Sequence, residues 1–349
     1  MTDPFPTTDS VMYQTMWRQP DDVAALVQGD WADVAAAAEL VAGADRIWVT
    51  GIGTSYHAAL VGGWLLRAAG YDARAIPSFE FATYPEQYPV GRNDAVIVMA
   101  HTGVKSYSAR AMSRGAELAR SVISVGSASA EHPGSQMILR TCIRETSAAY
   151  TSSHVCAMVR LAQLATLLGK PSFRGDLMNL PTAISDVLNR SGVIVDAAAV
   201  AKDREIYAIG AGPNEPTALE LVIKAREAAL HHTNAVGAEQ FFHGPIVAMD
   251  ENDYGIAVTQ SGPSLQRVTA IAQAMVDVGL PIWTVGDTDP GLGGTHFLTP
   301  PIDEVLSPLL NVVPMQMFAY HLAALRGTHP DRFRREDPKY AEAFGLLTL

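Results

Sequence analysis

A carboxylate, an ammonium group and a second carboxylate follow one another along a predicted helix. Glu220, Lys224 and Glu227 stand at relative positions i, i+4 and i+7, so their side chains share one helical face. Such a triplet is usually a solvent-exposed face held by salt bridges. Three charges that line a pocket would instead contact a polar ligand. An internal repeat in the chain discriminates between these two interpretations.

The repeat becomes visible when the chain is shifted so that Gly51 meets Gly210, an offset of 159 residues. Gly51-Ile52-Gly53 then falls on Gly210-Ala211-Gly212, and Thr102-Gly103 falls on Ser261-Gly262. A period this long indicates an internal duplication that produced two homologous domains. Residues that the copies share are expected to serve the fold. Where the copies differ in chemistry, one of them is expected to have a task that the other lacks.

The copies differ at the charged triplet. In copy one, the matching helix carries Val61, Leu65 and Ala68, an apolar stripe of the kind that faces a protein core. The three charged residues of copy two therefore occupy positions that are expected to be buried. We interpret the triplet as the lining of a functional pocket rather than as a solvated face.

A histidine is another difference between the copies. His243 lies in the segment Phe241–Pro245, where Gly-Pro favours a turn, and its partner in copy one is Tyr84. Tyr84 lies in the loop after Glu80, which falls on Glu239. An imidazole can transfer protons near neutral pH, although a lone histidine is more often structural.

The glycine turns predict an anion site in copy one. The first turn continues with Thr54 and Ser55 in copy one, but with Pro213 and Asn214 in copy two. A glycine turn that opens a helix presents backbone N–H groups and the positive end of the helix dipole, and two hydroxyls would complete an anion cradle. The alternative is that Thr54 and Ser55 are merely helix N-caps. The next strand end, at the same edge of the predicted sheet, adds Thr102, Gly103, Lys105 and Ser106.

The composition and the net charge argue against several classes of function. The 349 residues carry a formal net charge of −11, which argues against nucleic-acid binding, because that binding needs clustered Lys and Arg. Two cysteines, Cys142 and Cys156, are too few for a disulfide framework and suit a reducing compartment. The sequence shows no signal peptide, no membrane span and no metal-ligand spacing such as His-Glu-x-x-His. We therefore expect a cytoplasmic protein without a metal, a nucleic-acid partner or a membrane association.

Each copy alternates strands with helices, which predicts an α/β fold with parallel sheets covered on both sides. The sequence predicts an N-terminal segment over 1–30 and a first domain over 31–170. A linker and a helix follow over 171–200, with the linker itself at 171–181. The second domain is predicted over 201–327, and a polar tail over 328–349.

Three motifs together resemble the double sugar isomerase (SIS) domain family, in particular the isomerase part of the glutamine–fructose-6-phosphate aminotransferases. They are Gly51–Tyr56, Leu219–Glu227 and His243-Gly244-Pro245, and the resemblance extends from about residue 16 to residue 327. It implies two tandem flavodoxin-like three-layer (αβα) domains with parallel sheets. It also implies a homodimer, a hexose 6-phosphate substrate and no cofactor.

The resemblance assigns roles to the residues of copy two. Glu227 matches the carboxylate that moves a proton between sugar C1 and C2, and Lys224 matches a lysine near the ring oxygen or amine. His243 matches the histidine that opens the sugar ring and comes from the neighbouring subunit. Glu220 is expected to line the same substrate site. The tail lysine, Lys339, stands one residue from the family's catalytic tail lysine.

The resemblance also assigns the phosphate of the substrate to copy one, where Ser55 and Thr102 match phosphate ligands. The family's second loop usually reads Ser-x-Ser-Gly-x-Thr, whereas this chain has Ala100, Thr102 and Lys105 at the three matching positions. Two hydroxyls are lost and a cation is gained. Either Lys105 and Ser106 hold the phosphate or the anion is a different one.

The sequence contains no glutaminase domain with a cysteine nucleophile, so we do not expect it to release ammonia from glutamine. The expected activity is that of an amino-sugar-phosphate deaminase/isomerase, on a substrate similar to glucosamine 6-phosphate. One alternative enzyme is a deglycase of fructosamine 6-phosphates. A non-catalytic, sugar-phosphate-binding regulatory protein is a third possibility, although a sensor would not need all four residues Glu220, Lys224, Glu227 and His243.

Overall fold

A computed structural model describes residues 9–103 and 105–345 of the chain. The chain divides into two compact units, each built around one β-sheet. The first-sheet unit comprises the described residues of Gln19–Thr146, Ser152–Pro181 and Arg334–Leu349. The second-sheet unit comprises those of Met1–Arg18, Ser147–Thr151 and Thr182–Phe333.

The first sheet has five parallel strands in the order β2-β1-β3-β4-β5. The central strands are continuous apolar runs buried on both faces, as strands of a covered parallel sheet should be. The strands are β1 (Ile47–Gly51), β2 (Ala73–Pro77), β3 (Ala95–Met99), β4 (Ser121–Gly126) and β5 (Met137–Arg140).

The helices of this unit connect and cover those strands, and Trp48, Phe81 and Met112 lie in the core on one side of the sheet. Its helices are α2 (Ala32–Val41), α3 (Thr54–Ala68), α4 (Ser78–Thr83), α5 (Ser106–Leu118), α6 (Ser152–Leu168) and α13 (Pro338–Gly345). Two further helices, α1 (Val11–Gln28) and α7 (Phe173–Leu188), have residues in both units.

The second sheet repeats this topology. Its strands are parallel and, read from the β7 edge, follow the order β7-β6-β8-β9-β10. They are β6 (Ile206–Gly210), β7 (Thr233–Gly237), β8 (Tyr254–Val258), β9 (Ile282–Gly286) and β10 (Thr295–Leu298). The helices are α8 (Gly192–Ala201), α9 (Glu215–Ala229), α10 (Ala238–Phe242), α11 (Leu265–Asp277) and α12 (Pro308–Arg326), with 3₁₀ turns at Gly212–Asn214 and Pro245–Ala248.

Both strand orders are the flavodoxin-like order 2-1-3-4-5, so the predicted fold class is confirmed. The linker predicted over 171–181 is wrong, because α7 begins at Phe173 and continues through Pro181. In the described part of the chain, no helix combines the length and the apolar character that crossing a bilayer requires.

The strand registers correct one alignment of the two copies. Gly51 pairs with Pro77 in the first sheet and Gly210 pairs with Gly237 in the second, so Pro77 is the counterpart of Gly237. The offset is therefore 160 residues at this point (237 − 77), one more than the offset between Gly51 and Gly210. The extra residue of the second copy lies between Gly210 and Thr233.

This insertion affects the alignment of the next helix. Because α4 and α10 both begin directly after the paired residues, Glu239 falls on Phe79 rather than on Glu80 when the helices are aligned at their starts. At their ends the helices agree with the predicted pairing, since Tyr84 and His243 are both the C-cap residues. The conclusion that copy one has no histidine at this place is unchanged.

Candidate functional site

The strand order places the predicted anion ligands at one edge of the first sheet. β1 and β3 are hydrogen-bonded neighbours in the sheet. The chain continues from β1 to β2 on one side of this pair, and from β3 to β4 on the other side. Such a switch point leaves a crevice at the carboxyl ends of the strands, where open α/β sheets bind ligands. The residues after β1 and β3 that meet this first-sheet crevice are Thr54, Ser55, Thr102, Gly103, Lys105 and Ser106.

The loop after β1 is a tight glycine turn. Gly53 has a φ of 57° and occupies the N-cap of α3 without a side-chain cap, so Thr54 and Ser55 are not the N-cap residues. A Cβ on Gly51 would lie 2.3 Å from the Ser55 carbonyl oxygen, which explains the glycine there. The Ser55 and Tyr56 amides donate to loop carbonyls. The half-buried hydroxyls of Thr54 and Ser55 are therefore better placed than those two amides to bind an anion.

The loop after β3 supplies a cation to the same crevice. Lys105 has an extended backbone conformation before α5, and its side chain is exposed. Gly103 has a φ of 112°, a conformation that favours glycine. Val104 lies outside the described residues. Thr102, Lys105 and Ser106 thus add two hydroxyls and one positive charge.

The corresponding crevice of the second sheet is filled by the protein's own carboxylates. The Ser261 amide donates to Asp287 Oδ1 at 2.6 Å, and the Ser264 hydroxyl donates to Glu304 Oε1 at 2.7 Å. A Cβ on Gly262 would lie 2.4 Å from the Glu304 carboxyl carbon. These internal anions occupy the donors that a bound phosphate would need and would repel it.

The first sheet has no carboxylate at the position of Asp287. Gly126 and Gly286 end the matching strands β4 and β9, so the counterpart of Asp287 is Ser127. Ser127 is completely buried, and its hydroxyl has no hydrogen-bond partner within residues 9–103 and 105–345. The single change from Asp to Ser makes the first-sheet crevice less negative. Gly126 and Gly286 can be aligned from the sequence, but the pair was not singled out, because the contact between Asp287 and the Ser261 amide joins residues 26 positions apart.

The charged triplet lies on α9 and is largely buried. Glu220 and Lys224 are both 0% exposed, whereas 30% of the Glu227 side chain is exposed. Lys224 Nζ lies 2.9 Å from Glu227 Oε2 and 3.4 Å from Glu220 Oε1. We call these three residues the α9 charge stripe.

The counterparts of the stripe in α3 are buried as expected, with Val61 at 1% and Leu65 at 0% exposure. The interpretation of the triplet as a solvated face is therefore wrong for Glu220 and Lys224. Burying three charges costs free energy even when they are paired, and apolar residues at the same positions would avoid that cost. Such an arrangement indicates a selected function more than a stabilising one.

The geometry distinguishes the roles that each member of the stripe can take. Glu227 is the one member with a substantially exposed side chain, so it can reach a ligand. Lys224 is enclosed between two carboxylates, which engage its Nζ on both sides. Lys224 is therefore suited to orienting Glu227 and balancing its charge rather than to forming a Schiff base.

His243 lies just after α10 on an exposed loop of the same unit. Its imidazole is 66% exposed, and Nε2 lies 3.0 Å from Glu239 Oε1. Glu239 in turn accepts two hydrogen bonds from Arg267, at 2.6 and 2.8 Å. Arg267, first, and then His243 lower the pKa of Glu239 to about 2, so the carboxylate stays ionised and orients the imidazole. Arg267 was not identified from the sequence, because it lies 28 residues from Glu239.

Lys339 lies on α13 in the first-sheet unit. Its side chain is exposed, and its backbone amide donates to Asp337 Oδ1 at 3.0 Å. This short helix holds the lysine at the surface of its unit. The predicted catalytic role of Lys339 remains a hypothesis.

Comparison with known proteins agrees with this architecture. Residues 199–326 match the SIS domain. The chain is 29% identical over 337 residues to the isomerizing glutamine–fructose-6-phosphate aminotransferase of Pyrococcus horikoshii, which covers 93% of this chain and 56% of that protein. The chain thus spans about half the length of the curated relatives it matches.

Solved structures show the same fold. The C-terminal domain of glucosamine-fructose-6-phosphate aminotransferase from Francisella tularensis superposes with a TM-score of 0.84 at 17% identity, covering 93% of this chain and 98% of that one. Glucosamine-6-phosphate deaminase from Thermotoga maritima gives a TM-score of 0.74 at 18% identity, covering 93% and 97%. This chain therefore carries a SIS domain at residues 199–326, has a second domain of the same topology, and is homologous to the C-terminal isomerase part of the glutamine–fructose-6-phosphate aminotransferases.

Proposed function

We propose that the chain is a sugar-phosphate isomerase that acts on an amino sugar 6-phosphate and releases ammonia. The observation that carries this proposal is the α9 charge stripe, in which Lys224 is buried between Glu220 and Glu227. A protein that only needed the fold would keep the apolar stripe of α3. The homology to isomerizing aminotransferases supports the sugar-phosphate class, and the fold shared with a deaminase is consistent with ammonia release.

The proposed reaction needs one base that can reach two neighbouring carbons. Glu227 removes the proton from C2 of the open-chain 2-amino aldose and returns a proton to C1, which converts the amino aldose into a 2-imine. Water then adds to the imine carbon, and ammonia leaves to give the ketose. Lys224 keeps the Glu227 carboxylate oriented. Glu220 is 0% exposed, so it balances the charge of Lys224 instead of lining the substrate site as expected from the sequence.

The ring must open before C2 becomes acidic, and His243 is the proposed acid/base group for that step. The ion pair between Glu239 and Arg267 holds one side of its imidazole. The exposed side chains around it include Phe242 at 42% and Val247 at 89%. An exposed apolar loop that carries a proton-transfer group supports the proposal that His243 serves the site of a neighbouring chain in a homodimer.

The phosphate group is proposed to bind at the first-sheet crevice. Ser55, Thr102 and Ser106 offer hydroxyl groups, and the Lys105 ammonium offers the positive charge that replaces the hydroxyls missing from the second loop. The Asp287 carboxylate, which has no counterpart in the first sheet, disfavours phosphate at the equivalent site of the second sheet. Binding at one of the two duplicated crevices explains why only copy one retains hydroxyls in its glycine turn.

The test is incubation of the purified full chain with a panel of hexosamine 6-phosphates in D₂O. Proton NMR would follow exchange at C2 and ketose formation, and a coupled assay would follow ammonia. We expect C2 exchange, ketose and equimolar ammonia with at least one member of the panel, and none of these with the Glu227→Gln variant.

Two other outcomes would replace the proposal. Turnover confined to fructosamine 6-phosphates, with release of the conjugated amine, would identify a deglycase. Saturable binding of a sugar phosphate without any C2 exchange would identify a regulatory binding protein. The Glu227→Gln variant serves as the control for contaminating activity in every assay.

A further inference from the structure

Two thiols and a carboxylate converge inside the first-sheet unit, on residues that the proposed reaction does not use. Asp22, Cys142 and Cys156 each place one metal-ligating atom so that all three atoms lie within 4.8 Å of one another. Cys156 is 0% exposed and Cys142 is 6% exposed, while Asp22 is partly buried. We call this group the thiol–carboxylate cluster.

We propose that the thiol–carboxylate cluster binds one Zn²⁺ ion as a structural site. Zn²⁺ is bound by cysteine sulfur and carboxylate oxygen in tetrahedral sites, with Zn–S distances of about 2.3 Å. Two sulfurs on such an ion are separated by about 3.8 Å. The three ligand atoms, all within 4.8 Å of one another, thus lie at most about 1 Å farther apart than two sulfurs on one Zn²⁺ ion.

A hydroxyl group that can serve as an outer partner lies next to the three ligands. The Ser152 hydroxyl donates to Asp22 Oδ2 at 2.5 Å and lies 3.8 Å from Cys156 Sγ. It can hold a water molecule on the metal or orient the carboxylate, as the outer partners of metal ligands do. Two thiolates favour a borderline-soft ion over Mg²⁺ or Ca²⁺, which prefer oxygen ligands alone.

Metal binding at the cluster would release one proton from each thiol, because the thiolate is the form that ligates a metal. Arg160 also lies near Cys156, but its guanidinium already donates to Asp33 and to the Arg140 carbonyl.

The ion would join three segments that are far apart in sequence. Asp22 lies on α1, Cys142 follows β5, and Cys156 lies in the second turn of α6. Cross-linking them through a metal would stabilise the first-sheet unit. The sequence does not predict this site, because its two cysteines are 14 positions apart and lack the usual paired spacing.

The test uses the full chain, reduced and stripped of metal with a chelator. Under anaerobic conditions we expect one equivalent of Co²⁺ to give a thiolate-to-cobalt charge-transfer band and the visible bands of tetrahedral Co²⁺. Zn²⁺ should displace the Co²⁺. Cys142→Ser and Cys156→Ser should each weaken binding by more than about 100-fold, because loss of a mere outer partner already costs 10- to 100-fold. Asp22→Asn should weaken binding, and Asp21→Asn, an exposed neighbour on the same helix, should not.

Native mass spectrometry of the wild-type chain tests the same proposal without variants. One Zn²⁺ should be retained with a mass increase equal to the metal less two protons, and it should protect both thiols from alkylation. Co²⁺ binding without the charge-transfer band would overturn the proposal, because the ion would then be bound elsewhere. Failure of the wild-type chain to retain stoichiometric Zn²⁺ would overturn it as well.

Discussion

The Lys224 ammonium lies 2.9 Å from Glu227 Oε2, and the lysine side chain is only 1% exposed. This pair differs from an ion pair on the protein surface, which is screened by solvent and contributes little to the stability of the fold. Glu227 remains 30% exposed on the other side of the contact. A buried lysine thus orients a carboxylate that remains accessible to a ligand, and a catalytic base must be held in position in this way.

Glu227→Gln should reduce kcat by about 10² to 10⁴ and leave KM little changed, because the amide keeps the shape of the side chain but cannot accept the proton. Steady-state kinetics on the best substrate of the panel measures the effect. Glu251→Gln, at an exposed glutamate of the same unit, is the matched control and should retain full activity. Near-complete turnover by Glu227→Gln would show that another group is the base.

Replacing the α9 charge stripe with its copy-one counterpart should separate function from stability. The triple variant Glu220→Val, Lys224→Leu, Glu227→Ala should be inactive, but as stable as the parent or more stable by about 1–4 kcal/mol, because it removes the cost of burying charges. Urea unfolding measures the stability.

Lys224→Leu alone is the contrasting variant. It leaves the Glu220 carboxylate buried without its cation, so it should lower the free energy of unfolding by about 3–5 kcal/mol. If the triple variant were the less stable of the two, the stripe would be a structural element.

Ser127→Asp should block the first-sheet crevice by giving it the carboxylate that Asp287 supplies in the second sheet. We expect KM for the sugar phosphate to rise more than 10-fold, because an internal anion would compete with phosphate and repel it, while kcat changes less. Ser127→Asn has nearly the same shape without the charge and is the control. Equal KM values for the Asp and Asn variants would place the phosphate elsewhere.

The sequence was sufficient to predict the strands that are buried on both faces. β1 and β3 are continuous apolar runs, and β6 and β8 repeat them in the second copy. β5, β7 and β10 were not predicted, because they are partly exposed edge strands with mixed side chains. A short run of that kind has no apolar period to mark it.

The same limit applies to the candidate site. The α9 charge stripe could be predicted from the sequence, because helical periodicity and the comparison with α3 were sufficient to identify it. The contact between Arg267 and Glu239 joins residues 28 positions apart, and that between Asp287 and Ser261 joins residues 26 positions apart, so neither is visible in local spacing. One inserted residue before β7 also displaced the predicted counterpart of Glu239.

Acid should destabilise the second-sheet unit through two histidines that folding keeps neutral. Burial lowers the pKa of His231 and of His321 to about 4, from 6.5. Between these values the unfolded chain binds more protons than the folded one, so stability is complete above about pH 6.5 and falls as the pH is lowered towards 4. The urea midpoint should therefore decrease steadily over this range.

His231→Gln removes one of the two titrating groups and should make the pH dependence of the urea midpoint shallower. His232→Gln, at the exposed neighbouring position, is the control and should leave the slope unchanged. An identical slope in the wild type and in His231→Gln would show that this histidine does not contribute to the acid transition.

Activity should require two chains if His243 serves the site of a neighbouring subunit. Glu227→Gln and His243→Ala chains, each inactive alone, should regain activity after they are mixed and allowed to exchange subunits. With random exchange about half of the dimers are mixed, and each mixed dimer has one site with both wild-type groups. Recovery should therefore approach about a quarter of wild-type activity, provided that the two sites act independently.

The controls for this experiment decide what a negative result means. Native mass spectrometry must show the mixed dimer, and a chain that carries both substitutions, mixed with wild type, should give no complete site in the mixed dimer. If mixed dimers form without any recovery, Glu227 and His243 act within one chain. The exposure of the His243 imidazole at 66% would then need another explanation, such as a loop that changes position when the substrate binds.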